Sequence, residues 1–344
     1  MNKRNIKLDN VDVFVFDFDG VLTNNKVYLD KSGNEFVSCS RSDGLAFDVL
    51  RKLQKPCFIF STETNPVVSA RAKKLKVQAF QGIKNKVVGL EKILKKNGRV
   101  AGVIVNGKTI ECEYIVLATG MWSRQIGEDM GFSIPLYPAE HFYVITEPIN
   151  ELPKNIPVLR DFDDSLYLKE DAGKMLIGIF EGKSIPAFNK TNRVPNDFSF
   201  GEFPENFEHF EPYLEAALKR VPILEKAGIR KFFAGPESFT PDTNTLLGEV
   251  PGLKNLFACC GLNSIGIGSG GGVGKVTAEW IMKGHINEDL FIYDIKRFQN
   301  FHSKVDFIKE RITETLGDLY GMHWPYKQHK TSRNKKLFPY HEEL

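Results

Sequence analysis

Asp17 and Asp19 stand two residues apart, directly after the apolar run Val13-Phe-Val-Phe16, in the stretch Asp17-Phe-Asp19-Gly20-Val-Leu-Thr23. Two carboxylates delivered by a buried strand can hold Mg²⁺, or divide nucleophilic attack at phosphorus and proton transfer between them. Ser61 follows a second apolar run, Cys57-Phe-Ile-Phe60, where a hydroxyl suits a phosphate oxygen. Lys86 precedes a third amphipathic segment, where its ammonium can balance phosphate charge. Asp-x-Asp-Gly alone fits equally a strand-end turn with solvated aspartates or a calcium loop.

Two glycine turns offer a different chemistry. Ile115-Val-Leu-Ala-Thr-Gly120-Met-Trp122 is a strand ending in small residues, and a glycine there admits a ligand close to the backbone. Leu256-Phe-Ala-Cys-Cys260 runs into Gly261-Leu262-Asn263-Ser264-Ile265-Gly266 and a glycine-rich loop reaching Gly274, followed by a helix over 275–282. Such a loop at a helix N-terminus presents free N–H groups to an anion. Gly266-Ile-Gly268-Ser-Gly-Gly271 matches G-x-G-x-x-G literally, with Glu288 near the acidic position, but only a short candidate strand, Leu290–Tyr293, follows. A flexible surface loop or close helix packing would use the same glycines. His141, in the apolar run 141–146, fits either a satisfied core histidine or a site that holds an amine in its neutral form.

The elements that must position these residues fall into two textures. Through residue 97 strands and helices alternate: strands at 11–16 and 57–60, helices at 44–53, 66–75 and 87–96, the last stopped by Asn97-Gly98. This predicts a Rossmann-like parallel sheet. From Arg99 the spacing predicts a hairpin turning at Asn106-Gly107, then strands at 115–118, 141–146, 165–169, 175–180 and 256–260, with helices at 211–220 and about 306–319. The fold class expected is α/β plus α+β: a partial parallel sheet followed by a sheet that is mainly antiparallel.

Apolar residues make up 42% and charged residues 26%, which excludes collagen-like, mucin-like and wholly disordered chains. No apolar run is long enough for a membrane span, no signal-peptide pattern follows the basic N-terminus, and five scattered cysteines lack a C-x-x-C pair. A cytoplasmic location without membrane contact is expected. Residues 1–98 carry 18 Lys/Arg against 10 Asp/Glu, an excess that could mark a nucleic-acid-binding arm. The basic residues lie at helix-face spacing with no interleaved aromatic residues, so a solvated helix surface is expected and nucleic acid is not a partner.

Phe16-Asp-Phe-Asp-Gly-Val-Leu-Thr23, Arg41-Ser-Asp-Gly-Leu45, Phe60-Ser-Thr-Glu-Thr-Asn-Pro66 and Gln81-Gly82 resemble the haloacid dehalogenase (HAD) phosphohydrolase superfamily over residues 11–97, closest to its 3-deoxy-octulosonate 8-phosphate phosphatase branch and the phosphatase-like domain attached to some acylneuraminate cytidylyltransferases. The resemblance implies a Mg²⁺ site with Asp17 as nucleophile and ligand, Asp19 as acid/base and ligand, Ser61 orienting phosphate and Lys86 balancing charge. The superfamily's later Gly-Asp-Asp or Gly-Asn-Asp motif has no counterpart, since Gly127-Glu-Asp129 follows no strand.

Ala118-Thr-Gly-Met-Trp-Ser123, Pro135-Leu-Tyr-Pro-Ala-Glu-His-Phe-Tyr-Val-Ile-Thr146, Gly235-Pro-Glu-Ser-Phe-Thr-Pro-Asp242, Leu247-Gly-Glu249, Cys260-Gly-Leu-Asn-Ser-Ile-Gly-Ile267 and the tail 314–325 resemble the D-amino-acid-oxidase-type FAD oxidoreductases, dimethylglycine and sarcosine dehydrogenase branch, over residues 100–344. That resemblance implies FAD held near Gly120, Trp122 and Gly261 through Gly266. His141, Tyr143 and Tyr167 would face the substrate, a secondary or tertiary amine such as an N-methylated glycine. The βαβ unit with G-x-G-x-x-G that opens this family does not precede Val100.

The organisation expected is therefore a phosphatase-like module over 1–98, an oxidoreductase part over 99–305 and a C-terminal helix and tail over 306–344. A homo-oligomer formed through the first module is a further expectation. The amine oxidoreductase reading leads; a Mg²⁺-dependent sugar-phosphate phosphatase, and an inactive fusion retaining only binding surfaces, are the alternatives.

Overall fold

The computed structural model describes residues 14–18, 21–23, 27–31, 35–55, 57–61, 64–81, 90–105, 107–286, 289–323 and 327–341. Asp19 and Lys86 lie outside them.

Strand β1 (Phe14–Asp17) pairs in parallel with β4 (Cys57–Phe60), which pairs in parallel with β5 (Gln78–Phe80). Between β1 and β4 come the short antiparallel pair β2 (Val27–Leu29) and β3 (Glu35–Val37) and helix α1 (Ser42–Lys52). Helix α2 (Pro66–Leu75) opens with proline in its first turn, and Asn65 caps it by accepting the Val67 N–H at 3.0 Å. Phe47 of α1 and Val68, Ala72 and Leu75 of α2 bury against Phe18, Leu22 and Ile59. The parallel sheet expected here forms with the helices that cover it.

The helix expected at 87–96 does not form. Residues 90–96 are strand β6 (Leu90–Lys96), turned by Asn97 and Gly98 at φ 53° and 72° into β7 (Arg99–Val105), which pairs in turn with β8 (Lys108–Glu111). Asn-Gly with both residues at positive φ is a hairpin turn, not a helix stop. Apolar residues at Leu90, Ile93 and Leu94 satisfy helical spacing, but Ile93 reaches its burial against Val100, Leu117 and Leu256 only as part of a strand.

Strand β9 (Ile115–Leu117) leads through a 3₁₀ turn, Gly120–Trp122, into α3 (Ser123–Met130). The main sheet follows: β10 (Tyr137–Thr146), β11 (Leu159–Asp161), β12 (Leu166–Asp171), β13 (Lys174–Ile179) and β14 (Ile229–Phe239), in antiparallel order β11-β12-β13-β10-β14. Pro236 is tolerated in β14 because that strand is at the edge. Alternation along β10 splits the sheet's faces. Phe142 and Val144 join Ile177, Ile179 and α4 (Phe207–Arg220) on one side. Tyr137 and Ala139 join Phe180, Phe239 and α6 (Val305–Asp318) on the other.

Strand β15 (Leu246–Glu249) pairs antiparallel with β16 (Leu256–Cys260), which pairs in parallel with β9. Helix α5 (Gly266–Lys283) begins nine residues before the helix expected from the sequence, so most of the presumed glycine loop is helical. Its glycines at 268, 270, 271, 272 and 274 are exposed, and its attachment comes from Thr277 and Trp280, the latter filling the space a side chain at Gly248 would take. The candidate strand at 290–293 is instead a 3₁₀ turn, Phe291–Tyr293.

Candidate active site

Parallel pairing of β9 with β16, Ala258 opposite Leu117, sends both glycine turns off neighbouring carboxyl ends. Gly120 sits at φ 52° with open space where a Cβ would project, and Gly261 at φ 63° with its Cβ position 2.6 Å from the Thr240 methyl. Asn263 and Ser264 are also left-handed, at φ 49° and 67°, a conformation that costs energy unless the surroundings hold it. The hold comes from the end of β14 in the main sheet. Asn263, 2% exposed, accepts the Thr240 backbone N–H at 2.9 Å and donates to the Gly261 carbonyl at 2.7 Å. Ser264 lies close enough to the Glu237 carboxylate to lower its proton affinity. Leu262 is half-buried, Ile265 is half-exposed, and Gly266 starts α5, whose first-turn N–H groups have no intrahelical acceptors.

On the α6 face of the main sheet, Arg160 of β11, Tyr167 of β12, Gly178 of β13, Tyr143 of β10 and Phe233 of β14 lie in one cross-strand row. The Tyr167 ring lies across Gly178, occupying the position of a Cβ there. Tyr143 stacks on Phe233 at 4.5 Å. His141, two residues before Tyr143 and so on the same face, packs on Phe180 at 5.0 Å, and Phe180 stacks on Tyr320 at 4.4 Å. Phe180 also contacts Tyr167 at 5.8 Å, closing an aromatic cluster.

His141 is buried, and neither ring nitrogen has a hydrogen-bond partner. Burial lowers its pKa to about 4, so at neutral pH the imidazole is uncharged. The Glu237 carboxylate lies 4.0 Å from its Nε2 and is itself pushed upward by burial, with Ser264 opposing the shift. Tyr167 is raised by burial, with Glu237, Tyr320 and Tyr143 adding to the shift and Arg160 opposing it. A neutral imidazole acceptor, aromatic faces and one carboxylate can receive and orient an amine.

Of the residues singled out in the sequence, His141, Tyr143 and Tyr167 share one sheet face, while Gly120, Trp122 and Gly261 through Gly266 gather at one strand edge. Glu237 and Thr240 join the two groups. Trp122 and Glu237 also line one cavity of about 570 Å³, together with Phe198, Phe200 and Phe233. The Trp122 indole N–H is buried there without a partner. These features fit one side of a flavin: room at Gly120, unsatisfied donors at the start of α5 and at Trp122, and close approach at Gly261. Sequence reasoning quoted the stretch containing Glu237 without giving that residue a role, and passed over Phe180 and Tyr320. Their signal was weak, because residues far apart in the chain meet only through strand pairing.

In the N-terminal sheet Asp17 is opposite Phe60 in the β1–β4 register, so Asp17 and Ser61 leave adjacent strand ends. Asp17 accepts the Phe18 N–H at 2.7 Å, and Ser61 is fully buried, its backbone N–H donating to the Phe80 carbonyl. Gly127-Glu-Asp129 lies within α3, where Asp129 pairs with Arg193 at 2.7 Å and Glu128 contacts Arg124, so it is no strand-end acidic motif. Among the described residues no group of three or more His, Cys, Asp or Glu could hold a metal ion, and no helix is long and apolar enough to cross a membrane.

Fold and site together set a glycine-turn edge against an antiparallel sheet with an aromatic face. Residues 66–280 match the family described as FAD dependent oxidoreductase, and residues 283–337 match the FAD dependent oxidoreductase central domain. The chain belongs to the FAD-dependent oxidoreductase family. It is 38% identical over 257 residues to 4-methylaminobutanoate oxidase (formaldehyde-forming) of Paenarthrobacter nicotinovorans, covering 75% of this chain and 31% of that protein. It is 39% identical over 249 residues to the mitochondrial sarcosine dehydrogenase of Homo sapiens, covering 72% and 26%. The chain thus spans less than a third of either relative. Among solved structures, L-proline dehydrogenase from P. horikoshii superposes with a TM-score of 0.54 at 25% identity, covering 67% of this chain and 57% of that one.

Proposed function

We propose that this chain supplies the substrate face and one side of the FAD site of an oxidoreductase acting on secondary or tertiary amines, N-methylated glycines being the leading candidates. The observation that carries this reading is His141: neutral, without a hydrogen-bond partner on either nitrogen, inside an aromatic cluster and 4.0 Å from a carboxylate. The FAD-dependent family, the amine-oxidising relatives and the glycine turns support it. FAD, when bound, accepts the electrons of amine oxidation. Phe180, Tyr320 and Tyr167 exclude water and offer ring faces to a methylated ammonium. His141, held neutral by burial, offers Nε2 as a hydrogen-bond acceptor to the substrate N–H, and the Glu237 carboxylate lies beside it. Asn263, bonded to the Thr240 N–H, keeps the flavin-side turn in register with the strand that carries Glu237.

With FAD supplied and an N-methylated glycine as substrate, His141→Gln is expected to lower turnover by ~10²–10⁴-fold. Tyr167→Phe should lower it less, and quenching of FAD fluorescence by the protein should stay unchanged in both. Loss of FAD binding in step with turnover would make both residues structural and end this reading.

The N-terminal sheet carries a second reading, a HAD-like module with a Mg²⁺-dependent phosphate site. The observation favouring it is the placement of Asp17 and Ser61 at neighbouring parallel strand ends. Asp19 and Lys86 would complete the set, and an exposed face of this module would serve a homo-oligomer. Hydrolysis of p-nitrophenyl phosphate that requires Mg²⁺ and disappears in Asp17→Asn supports it, whereas equal rates in both proteins reject it.

A further inference from the structure

A second cavity, of about 400 Å³, shares no lining residue with the substrate cavity. One wall is aromatic: Phe301 packs on His302 at 3.8 Å, and His302 meets Phe298 and Phe307 at 5.1 Å each. The rest of the lining is cationic, with Arg311 of α6, whose guanidinium lies 5.2 Å over the Phe307 ring, and Arg333 and Lys336 of the tail, beside His329. Asp242 is the one acid in the lining, and Arg297 neutralises it through bonds of 2.7 and 3.0 Å.

The other acids near Arg311 are occupied. Glu314 accepts the Lys330 and Thr331 N–H groups and the Thr331 hydroxyl, Glu310 accepts the Ser332 N–H and pairs with Lys335, and Asp318 is held by Lys327 and His329. Arg311 spends one nitrogen on the Thr331 carbonyl, and its Nε is buried without a partner. Arg333 donates only to the His329 carbonyl and the Gln328 side chain, and no ion pair involves Lys336 among the described residues. The positive field has consequences on three groups. Burial, then Arg311, lowers the proton affinity of both His302 and His329, and Arg311 is itself lowered by burial, with Glu314, Asp318 and Glu310 opposing the shift and Arg333 adding to it. Arg333 and Lys336 add positive charge to a lining whose one acid is already paired with Arg297, and the rings beside them favour a flat anion.

We propose that this cleft binds a small planar anion of about mononucleotide size, an aromatic ring carrying a phosphate or carboxylate. The ring lies against Phe298, Phe301 and His302, and the anionic group meets Arg311, Arg333 and Lys336. Cleft volumes of about 300–1,000 Å³ are usual for ligands of this class. The site is independent of amine oxidation.

Equilibrium dialysis of the full chain with AMP tests it, with adenosine, inorganic phosphate and benzoate as part-ligands. AMP should bind at least about tenfold more tightly than adenosine or phosphate alone, and its affinity should fall with added salt. Arg311→Gln should cost about tenfold or more, and Lys336→Gln and Arg333→Gln roughly two- to fivefold each. The last two side chains are exposed, so those variants keep the fold even if Arg311→Gln does not. Benzoate binding as tightly as AMP assigns the anionic group as a carboxylate, and AMP binding more tightly assigns a phosphate. AMP binding no better than its parts overturns the proposal. So does AMP affinity unchanged in both tail variants, which would place the nucleotide on the glycine turns instead.

Discussion

His141 titrates near pH 6.5 in an unfolded chain but only near 4 in the folded one, because burial disfavours the imidazolium. Between those values the unfolded chain binds the extra proton. The stability that the neutral ring permits is therefore complete above pH 6.5 and is lost as the pH falls towards 4, by about 3 kcal/mol. Glu237, raised by burial, acts with the opposite sign, losing stability as the pH rises through its window. Urea midpoints measured from pH 7.5 to 4 should show a fall in the native chain that His141→Gln largely removes; parallel curves would mean that the histidine is solvated. Gly178 offers a second test, since a Cβ there would fall on the Tyr167 ring. Gly178→Ala should destabilise by ~1–3 kcal/mol through overpacking, and Tyr167→Ala should suppress most of that cost in the double variant. Additive losses in thermal unfolding would show that the ring does not lie across the glycine.

Helix α5 carries six glycines and still forms, because Trp280 and Thr277 bury its C-terminal half against β15 and β16. Exposed helical glycines with open space around them cost about 0.5–1 kcal/mol each relative to alanine. Gly272→Ala and Gly274→Ala, both at negative φ with no atom within 4 Å of the new Cβ, should each raise the melting temperature of the chain without FAD. An unchanged or lowered melting temperature would mean that another surface rests on those glycines. The β6–β7 hairpin makes a related point about elements. Its apolar spacing supports helix and strand alike, and the choice is made by the turn at Asn97-Gly98 and by the core that receives Ile93.

At the scale of the whole chain, the proposed function gives the glycine turns and α5 one side of a flavin site, while no G-x-G-x-x-G precedes Val100. Among the described residues, the N-terminal parallel sheet has Asp17 and Ser61 at its strand ends. A site lacking even three charge-assisted hydrogen bonds, at ~1.5–3 kcal/mol each, binds roughly three to six orders of magnitude more weakly. This chain, expressed alone and desalted, should show almost no flavin absorption and should take up FAD only at high added concentration. A stoichiometric flavin band after desalting would mean that the N-terminal sheet completes the site.

Most of the local architecture was legible in the residues themselves. Pro66 opens α2, Asn106-Gly107 lies between two β-rich runs, and Phe142 and Val144 alternate with His141 and Tyr143, since capping, turn geometry and burial periodicity act over a few residues. The motif text also named both faces of the candidate site, from Gly120 and Gly261 to His141 and Tyr167. Residues joined by long chain separation were not legible there. Glu237 reaches Ser264 and His141 because β14 lies beside β10 in one register, and Tyr320 meets Phe180 because α6 packs on that sheet face. A shift of one residue in the β10–β14 register would turn Glu237 to the opposite face, so strand pairing places the carboxylate beside the histidine. The cationic cleft has the same origin: Arg311 and Lys336 share a lining only after the tail is tied to α6 through Glu310 and Glu314. Local sequence determines which elements form because their energies are short-ranged, whereas charges that face one another across the fold depend on packing that no single segment encodes.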